Sequence, residues 1–251
     1  MAKIEISEST LQRINHSHAL RYAFRDLIHL HVPRKTFKND LINLWEDKQN
    51  TNSSINKNEI INILDANVEI EEPYYEAVLT NFQYEKLVNY LEKGDFYRRN
   101  FTSKKNRAKY LLAFSYGEGH TVNSEIRKEI EDFIQSSNNT TLEIYAQWEI
   151  ADFAPFTNNF NSMINRIAIS PGKSYINSYE VAEKFIKMTN YQSQKSPGVL
   201  VACQSWHGAR CLNICQNKGI NIIGGIFVDK FSVNDPQLWV QDPLSWLIKE
   251  S

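Results

Sequence analysis

The chain has 251 residues, of which 42% are hydrophobic, and its formal net charge is -1 at pH 7. This length and apolar content are enough for a substantial core, which excludes intrinsic disorder as the default and allows one α/β domain with an appended part or two small domains. Acidic and basic residues are interspersed, so the overall charge gives no reason to expect binding to nucleic acid or to an anionic membrane.

The N-terminal residues and the cysteines indicate where the protein works. Residues 1–24 carry charges throughout and lack the apolar segment of a signal peptide. The longest apolar runs are far shorter than the roughly 20 residues that span a bilayer. The three cysteines do not form the pattern of a secreted disulfide framework, so we expect free thiols. We therefore expect a soluble, cytoplasmic protein without a membrane partner.

The region 1–109 has the apolar spacing of helices. Apolar residues recur at three- to four-residue intervals in four stretches, which are 11–28, 41–45, 60–64 and 75–91. Gly94 is a suitable C-cap for the last of them. A local basic run lies between Arg98 and Lys109, and we interpret it as a solvated face because the near-neutral net charge argues against nucleic acid as a partner. We expect this helical region to pack on the functional site or to cap it.

The region 110–251 alternates between short apolar strands and helical segments, which is typical of a layered α/β domain with a mostly parallel sheet. The predicted strands are 110–116, 142–147, 164–169, a strand from Val199, and 220–228. Predicted helices lie between them, ending at Gln135, spanning 177–189, and starting at His207. The run from Val199 to Ala202 is apolar throughout, which predicts a strand buried on both faces.

Polar residues follow the first predicted strand. Gly117, Glu118 and Gly119 form a tight turn that leads into a helix. Glycines let the backbone approach a ligand closely, and the amides at a helix start attract an anion. Ordinary turn geometry explains the same residues, so both interpretations stay open.

A second polar loop precedes the helix that starts near residue 177. Asn177 or Ser178 is a good N-cap, and Glu180 in the first turn complements the helix dipole. The functional alternative is that Lys173 and Ser174 meet a ligand anion while Asn177 and Glu180 bond its polar groups.

A third cluster, residues 203–210, follows the strand that begins at Val199. His207 and Arg210 are three residues apart at a helix start, a spacing that suits proton transfer beside an anion clamp. The alternative is a helix cap in which both residues bond within the protein. Gln204 and Ser205 are candidate ligand contacts. Cys203 is a candidate ligand contact or nucleophile, or else a small apolar core residue. No Cys-x-x-Cys pair is present, and we predict no metal site.

These motifs resemble the YdcF/SanA-like family of α/β proteins. In that family one motif runs approximately Asn-Thr-x-Glu-Asn-Ala and the other approximately Thr-Ser-x-x-His-x-x-Arg-Ala. Here they fall on residues 177–182 (NSYEVA) and 203–211 (CQSWHGARC). The matching residues are Asn177, Glu180, His207 and Arg210.

Three departures accompany the resemblance, which covers roughly residues 110–228. Val181 replaces the second Asn, Cys203 and Gln204 replace Thr-Ser, and residues 148–152 (WEIAD) replace the glycine-rich turn usual after the second strand. The resemblance implies a Rossmann-like domain with a pocket at the carboxyl ends of the strands. For at least some relatives it also implies S-adenosylmethionine or another nucleotide-like ligand. Relatives have been linked to the bacterial envelope, often through a membrane anchor, which this chain does not show.

The resulting hypothesis is a cytoplasmic enzyme, most simply a transferase, that acts on a small anionic or nucleotide-like substrate. His207, Arg210 and Glu180 are the expected catalytic group, with His207 as general acid and base. Arg210 and Lys173 would neutralise phosphate or carboxylate. The alternative hypothesis is a non-catalytic binding or sensor protein for a nucleotide or S-adenosylmethionine.

The apolar segment 236–248 near the chain end predicts docking within the chain or, as a second possibility, a homodimer contact.

Overall fold

The structure is a computed structural model, and it describes residues 37–67, 81–92, 98, 100–102, 108–137, 141–152, 164–192, 197–241 and 243–250. The predicted helix over 11–28 and the Gly94 cap lie outside these residues. The described helices are α1 (Phe37–Thr51), α2 (Lys57–Asn67), α3 (Asn81–Glu92), α4 (His120–Ser137), α5 (Trp148–Asp152), α6 (Ser178–Thr189), α7 (Gly208–Asn217) and α8 (Pro243–Glu250). The described strands are β1 (Phe101–Thr102), β2 (Ala108–Ala113), β3 (Glu143–Gln147), β4 (Ile164–Ile167), β5 (Gly198–Gln204) and β6 (Ile222–Val228).

The strands form one sheet in the order β1-β6-β5-β2-β3-β4. The strands from β2 to β6 are all parallel, and β1 pairs antiparallel with β6 at the edge. This confirms the prediction of a Rossmann-like layered α/β fold with a helix-rich region before it. Strand β1 was not predicted because two residues are too few to show a periodicity.

Both faces of the central strands are buried, as the apolar runs predict. Alternate residues of β2 and β5, among them Leu112 and Val201, belong to a core cluster with α6 and α7. Their neighbours Leu111 and Leu200 point the other way and have no exposed surface either. Helix α4 packs against β5 and β6. The β2–β6 sheet is therefore covered by helices on both sides, which explains why its strands lack polar alternation.

The described residues fall into two compact units, and the division differs from the predicted boundary at 109/110. One unit runs from Tyr97 to Gln237, and the other joins the residues before Tyr97 to the segment Leu238–Ser251. Helix α8 packs against α1 and α3, and its Trp246 and Leu247 are buried. The apolar chain end therefore docks within the helical unit. None of the helices in the described ranges has both the length and the apolar character required to cross a membrane.

The aromatic centre of the core cluster gives a direct test of this packing. Phe185 of α6 has no exposed surface, and its ring meets Tyr145 edge to face at 5.3 Å and Tyr110 at 5.7 Å. We expect Phe185→Ala to lower the free energy of unfolding by about 3–5 kcal/mol, because a large buried side chain is replaced by a cavity. Met188→Ala, on the same helix at 47% exposure, is the control and should change it by less than about 0.5 kcal/mol. Urea unfolding followed by circular dichroism measures both, and equal effects would contradict the packing.

Candidate functional site

The strand order identifies one edge of the sheet as the candidate site. From β2 the chain builds outward through β3 and β4, then returns to β5 on the other side of β2 and continues to β6. The order therefore reverses between β2 and β5. In open parallel sheets, ligands bind beyond the carboxyl ends of the strands at such a reversal. The residues there are 114–119 after β2 and 205–207 after β5.

The turn after β2 is held in shape by Asn123 of α4. Its side chain accepts a hydrogen bond from the amide of Tyr116 at 2.9 Å and donates to the carbonyls of Gly117 at 3.2 Å and Gly119 at 3.0 Å. Gly117 has a φ of 71°, which glycine adopts without strain. The turn is thus a built element, as the sequence predicts for Gly117, Glu118 and Gly119.

A carboxylate of the protein itself binds this turn. The amide of Gly119 donates to Oδ2 of Asp235 at 2.6 Å, and Asp235 is 2% exposed. A Cβ on residue 119 would lie 2.5 Å from the same oxygen, so any other residue here would displace the Asp235 carboxylate. Burial raises the pKa of Asp235, and the amides of Gln237, Gly119 and Glu118 offset part of the rise. The predicted anion-binding amides are real donors, but in this structure their acceptor is intramolecular.

The predicted ligand contacts at the end of β5 are buried and engaged within the protein. Oε1 of Gln204 accepts from the amides of Trp206 at 2.6 Å and His207 at 3.1 Å, and its Nε2 donates to the carbonyl of Lys230 at 3.3 Å. Cys203 lies in the core cluster with no exposed surface, which matches its alternative interpretation as a core residue. Ser205 is also buried, and its amide pairs with the carbonyl of Val228 at 2.9 Å. These three residues therefore stabilise the end of β5, and none of them is exposed to a ligand.

His207 joins two of the predicted loops. Its Nε2 lies 3.1 Å from Oγ of Ser178, the first residue of α6, and its ring centroid is 6.1 Å from that of Tyr116. The histidine is only 4% exposed, whereas Arg210 is partly exposed. The structure therefore brings His207 to the reversal point, beside Tyr116 of the turn after β2 and Ser178 of α6.

Asn177 and Glu180 cap the start of α6, as one of the two interpretations of the sequence predicts. Oδ1 of Asn177 accepts from the amide of Glu180 at 2.9 Å, and Oε2 of Glu180 accepts from the amide of Asn177 at 3.2 Å. The same Glu180 forms a close ion pair with Lys173, which lowers the pKa of that carboxyl. Ser174 is exposed in the preceding loop. Structural contacts thus already engage Asn177, Glu180 and Lys173.

Glu149, two residues after β3, is a buried carboxyl at the same edge that was not among the predicted site residues. It is 4% exposed, and its Oε1 accepts from Nε2 of Gln147 at 3.3 Å. Oε1 of Gln147 in turn accepts from the amide of Ser115 at 3.2 Å. Among the residues that the structure describes, Oε2 of Glu149 has no hydrogen-bond partner. The only sequence signal was its place directly after the second strand of the parallel sheet.

The surroundings of Glu149 disfavour its charged form. Burial raises its pKa to about 7, the neighbouring polar groups of its own amide, Ser115 and Gln147 oppose the rise, and the charge of Glu118 adds to it. Helix α5 packs against α4 and β4, and an arginine of each of these elements bonds another group. Arg127 of α4 donates to the carbonyl of Ile150 at 3.1 Å, and Arg166 of β4 pairs with Asp152 at 2.6 Å. The carboxyl is therefore poised to exchange a proton near neutral pH.

Comparison with protein-family models, with curated proteins and with solved structures finds no match to this chain.

The reciprocal hydrogen bonds of Asn177 and Glu180 at the start of α6 predict that Asn177 stabilises the fold. We expect Asn177→Ala to lower the free energy of unfolding by about 1 kcal/mol, because the amide of Glu180 loses its acceptor. Asn177→Asp should stay close to the wild type, since aspartate caps helices equally well. Urea unfolding measures both, and an alanine variant as stable as the aspartate variant would contradict the cap.

Glu149 should make the stability of the protein depend on pH. Between pH 4.5 and about 7 the native state holds a proton that the unfolded chain has released, so the free energy of unfolding falls as pH rises through this range. A pKa raised from 4.5 to about 7 corresponds to about 3 kcal/mol. We expect Glu149→Gln to remove this fall, so that its stability relative to the wild type increases by up to about 3 kcal/mol from pH 4.5 to pH 7. Urea unfolding at a series of pH values tests this, and parallel profiles would contradict it.

Proposed function

We propose that this protein is an enzyme, most simply a transferase, that binds a small nucleotide-like ligand at the carboxyl edge of its parallel sheet. The observation that carries the proposal is the reversal of strand order between β2 and β5, with a glycine turn, a histidine and a buried carboxyl at that edge. Reversal points of this kind are where open α/β sheets hold their ligands. The resemblance of residues 177–182 and 203–211 to the YdcF/SanA-like family supports the same class of ligand, including S-adenosylmethionine.

The proposal gives the polar residues distinct tasks. His207 is the proposed acid and base, since Ser178 holds its Nε2 and Gln204 holds its backbone amide. Arg210, which is partly exposed, would neutralise a negative group of the substrate. Gln204 and Ser178 act as positioning residues. Catalysis by His207 requires substrate to reach a side chain that is now 4% exposed, so binding must be accompanied by movement near the edge.

That burial favours a second candidate, a non-catalytic binding protein for the same class of ligand. A histidine enclosed between Ser178 and Tyr116 stabilises the fold of the edge without touching a substrate. In this alternative the ligand binds at the reversal point and leaves unchanged. The two candidates share a site and differ in turnover.

A ligand screen with turnover measurements tests the proposal. Purified protein is scanned for thermal stabilisation by nucleosides, nucleotides, S-adenosylmethionine, sugar phosphates and amino acids. A true ligand at about 100 times its Kd should raise Tm by roughly 5–10 °C. Arg210→Ala should reduce this shift for an anionic ligand. Lys128→Ala, which removes an exposed charge of α4, is the matched control and should keep it.

The same ligand is then followed by mass spectrometry, with candidate acceptors added. In the enzyme, His207→Gln should keep ligand affinity but lose turnover by roughly 100-fold or more. Binding with no product from the wild type would establish the non-catalytic alternative. If no compound of these classes stabilises the wild type, the proposal is wrong.

A further inference from the structure

Two carboxyl groups at the β2–β3 side of the edge restrict the chemistry of a ligand there. Glu149 follows β3, and Asp235, from the segment after β6, contacts the turn after β2, so the two carboxyl groups lie at the ends of the first two strands of the parallel sheet. They differ in how they are used. Asp235 accepts hydrogen bonds from the amides of Gly119 and Gln237, while one oxygen of Glu149 has no partner among the described residues.

Glu149 stands where sheets of this type hold a sugar. In dinucleotide-binding α/β domains, an acidic residue beyond the second strand bonds the ribose hydroxyls, while the glycine turn after the first strand holds the phosphates. Here the Gln147 side chain fixes Oε1 of Glu149 and also accepts from the amide of Ser115, so the carboxyl is oriented across the ends of β2 and β3. A buried, oriented oxygen without a donor is the acceptor that a sugar hydroxyl satisfies.

Asp235 stands where the phosphate would be. A phosphate at the glycine turn needs the amide of Gly119, and Asp235 already accepts from it at 2.6 Å. The exposed Glu118 adds another negative charge beside the turn, and its carboxylate is bonded by Nε2 of Gln237 at 2.7 Å. Negative charges on Asp235 and Glu118 would repel a diphosphate at the turn and accept a neutral or cationic group.

We propose that the ligand of this site is a ribonucleoside, free or 5′-substituted, whose ribose hydroxyls bond Glu149 and which carries no phosphate at the turn because Asp235 takes that place. This inference rests on the proposed function and narrows its ligand class. S-adenosylmethionine and the free nucleosides share the required chemistry, and dinucleotides do not.

Titration calorimetry of the wild type distinguishes these ligands. The probes are S-adenosylmethionine, S-adenosylhomocysteine and the four ribonucleosides, together with their 2′-deoxy and 3′-deoxy forms and their 5′-diphosphates. At least one phosphate-free ribonucleoside should bind, and its deoxy forms should bind on the order of 10- to 100-fold more weakly, because a buried charged or polar group then loses its hydrogen bond. The matching 5′-diphosphate should also bind more weakly.

Variants assign the effect to Glu149. Glu149→Gln should weaken binding of the ribonucleoside roughly tenfold and reduce its preference over the deoxy forms. Glu143→Gln makes the same change at the amino end of β3 and is the matched control, which should bind as the wild type does. Asp235→Asn should narrow the preference of the site for nucleoside over 5′-diphosphate, because the turn loses its internal charge.

The outcomes separate this inference from the proposed function. If only sugar phosphates or amino acids bind, the assignment of a ribonucleoside as the ligand is wrong, while the proposed location of the site is retained. A 5′-diphosphate that binds more tightly than its nucleoside would overturn the role of Asp235. Equal affinity for ribose and both deoxyribose forms in the wild type would overturn the role of Glu149, and this comparison needs no variant to fold.

Discussion

The parallel pairing of β2 with strands on both of its sides is the constraint on which the rest of this structure depends. Parallel neighbours cannot be joined by a tight turn, so each connection crosses a face of the sheet, usually as a helix. The chain therefore builds β3 and β4 on one side of β2 and must return to place β5 on the other. The helices that follow β2 and β5 therefore lie on opposite faces of the sheet. The polar residues that come directly after the two strands lie at one edge of it. Tyr116 of the turn after β2 and His207 after β5 lie together for that reason, with their ring centroids 6.1 Å apart.

The bond between Asp235 and Gly119 gives the edge its particular character. A helix of 18 residues begins directly after this turn, and the free amides at such a start favour a negative group. The protein supplies that group from the segment after β6, and residue 119 has no Cβ, which lets the carboxylate approach to 2.6 Å. Phe231 of the same segment packs edge to face on Tyr116. The segment is thus fixed to the turn by both polar and apolar contacts.

The elements of the α/β unit could be predicted from the sequence more readily than the site. Continuous apolar runs such as Val199–Ala202 predict buried parallel strands, and the structure has β5 from Gly198 to Gln204. The capping residues Asn177 and Glu180 likewise predict the start of α6, because capping is a local interaction. Local patterns cannot give the strand order, the return of α8 to the helical unit, or the partner of Gly119, since each is a contact between residues far apart in sequence.

The same limit explains why Glu149 was missed and why polar residues were overestimated as ligand contacts. A sequence shows that Gln204, Asn177 and Glu180 are polar, but not that backbone amides already engage them. It shows Glu149 as one acidic residue among many, and only the fold reveals that one of its oxygens is buried without a donor in the described part of the chain. Polar residues whose bonds are complete build the edge, whereas an incomplete one has bonding capacity left for a ligand. By this distinction Glu149 has an oxygen left for a ligand, whereas His207 can act on a ligand only if it does so while bonded to Ser178 or after that bond breaks.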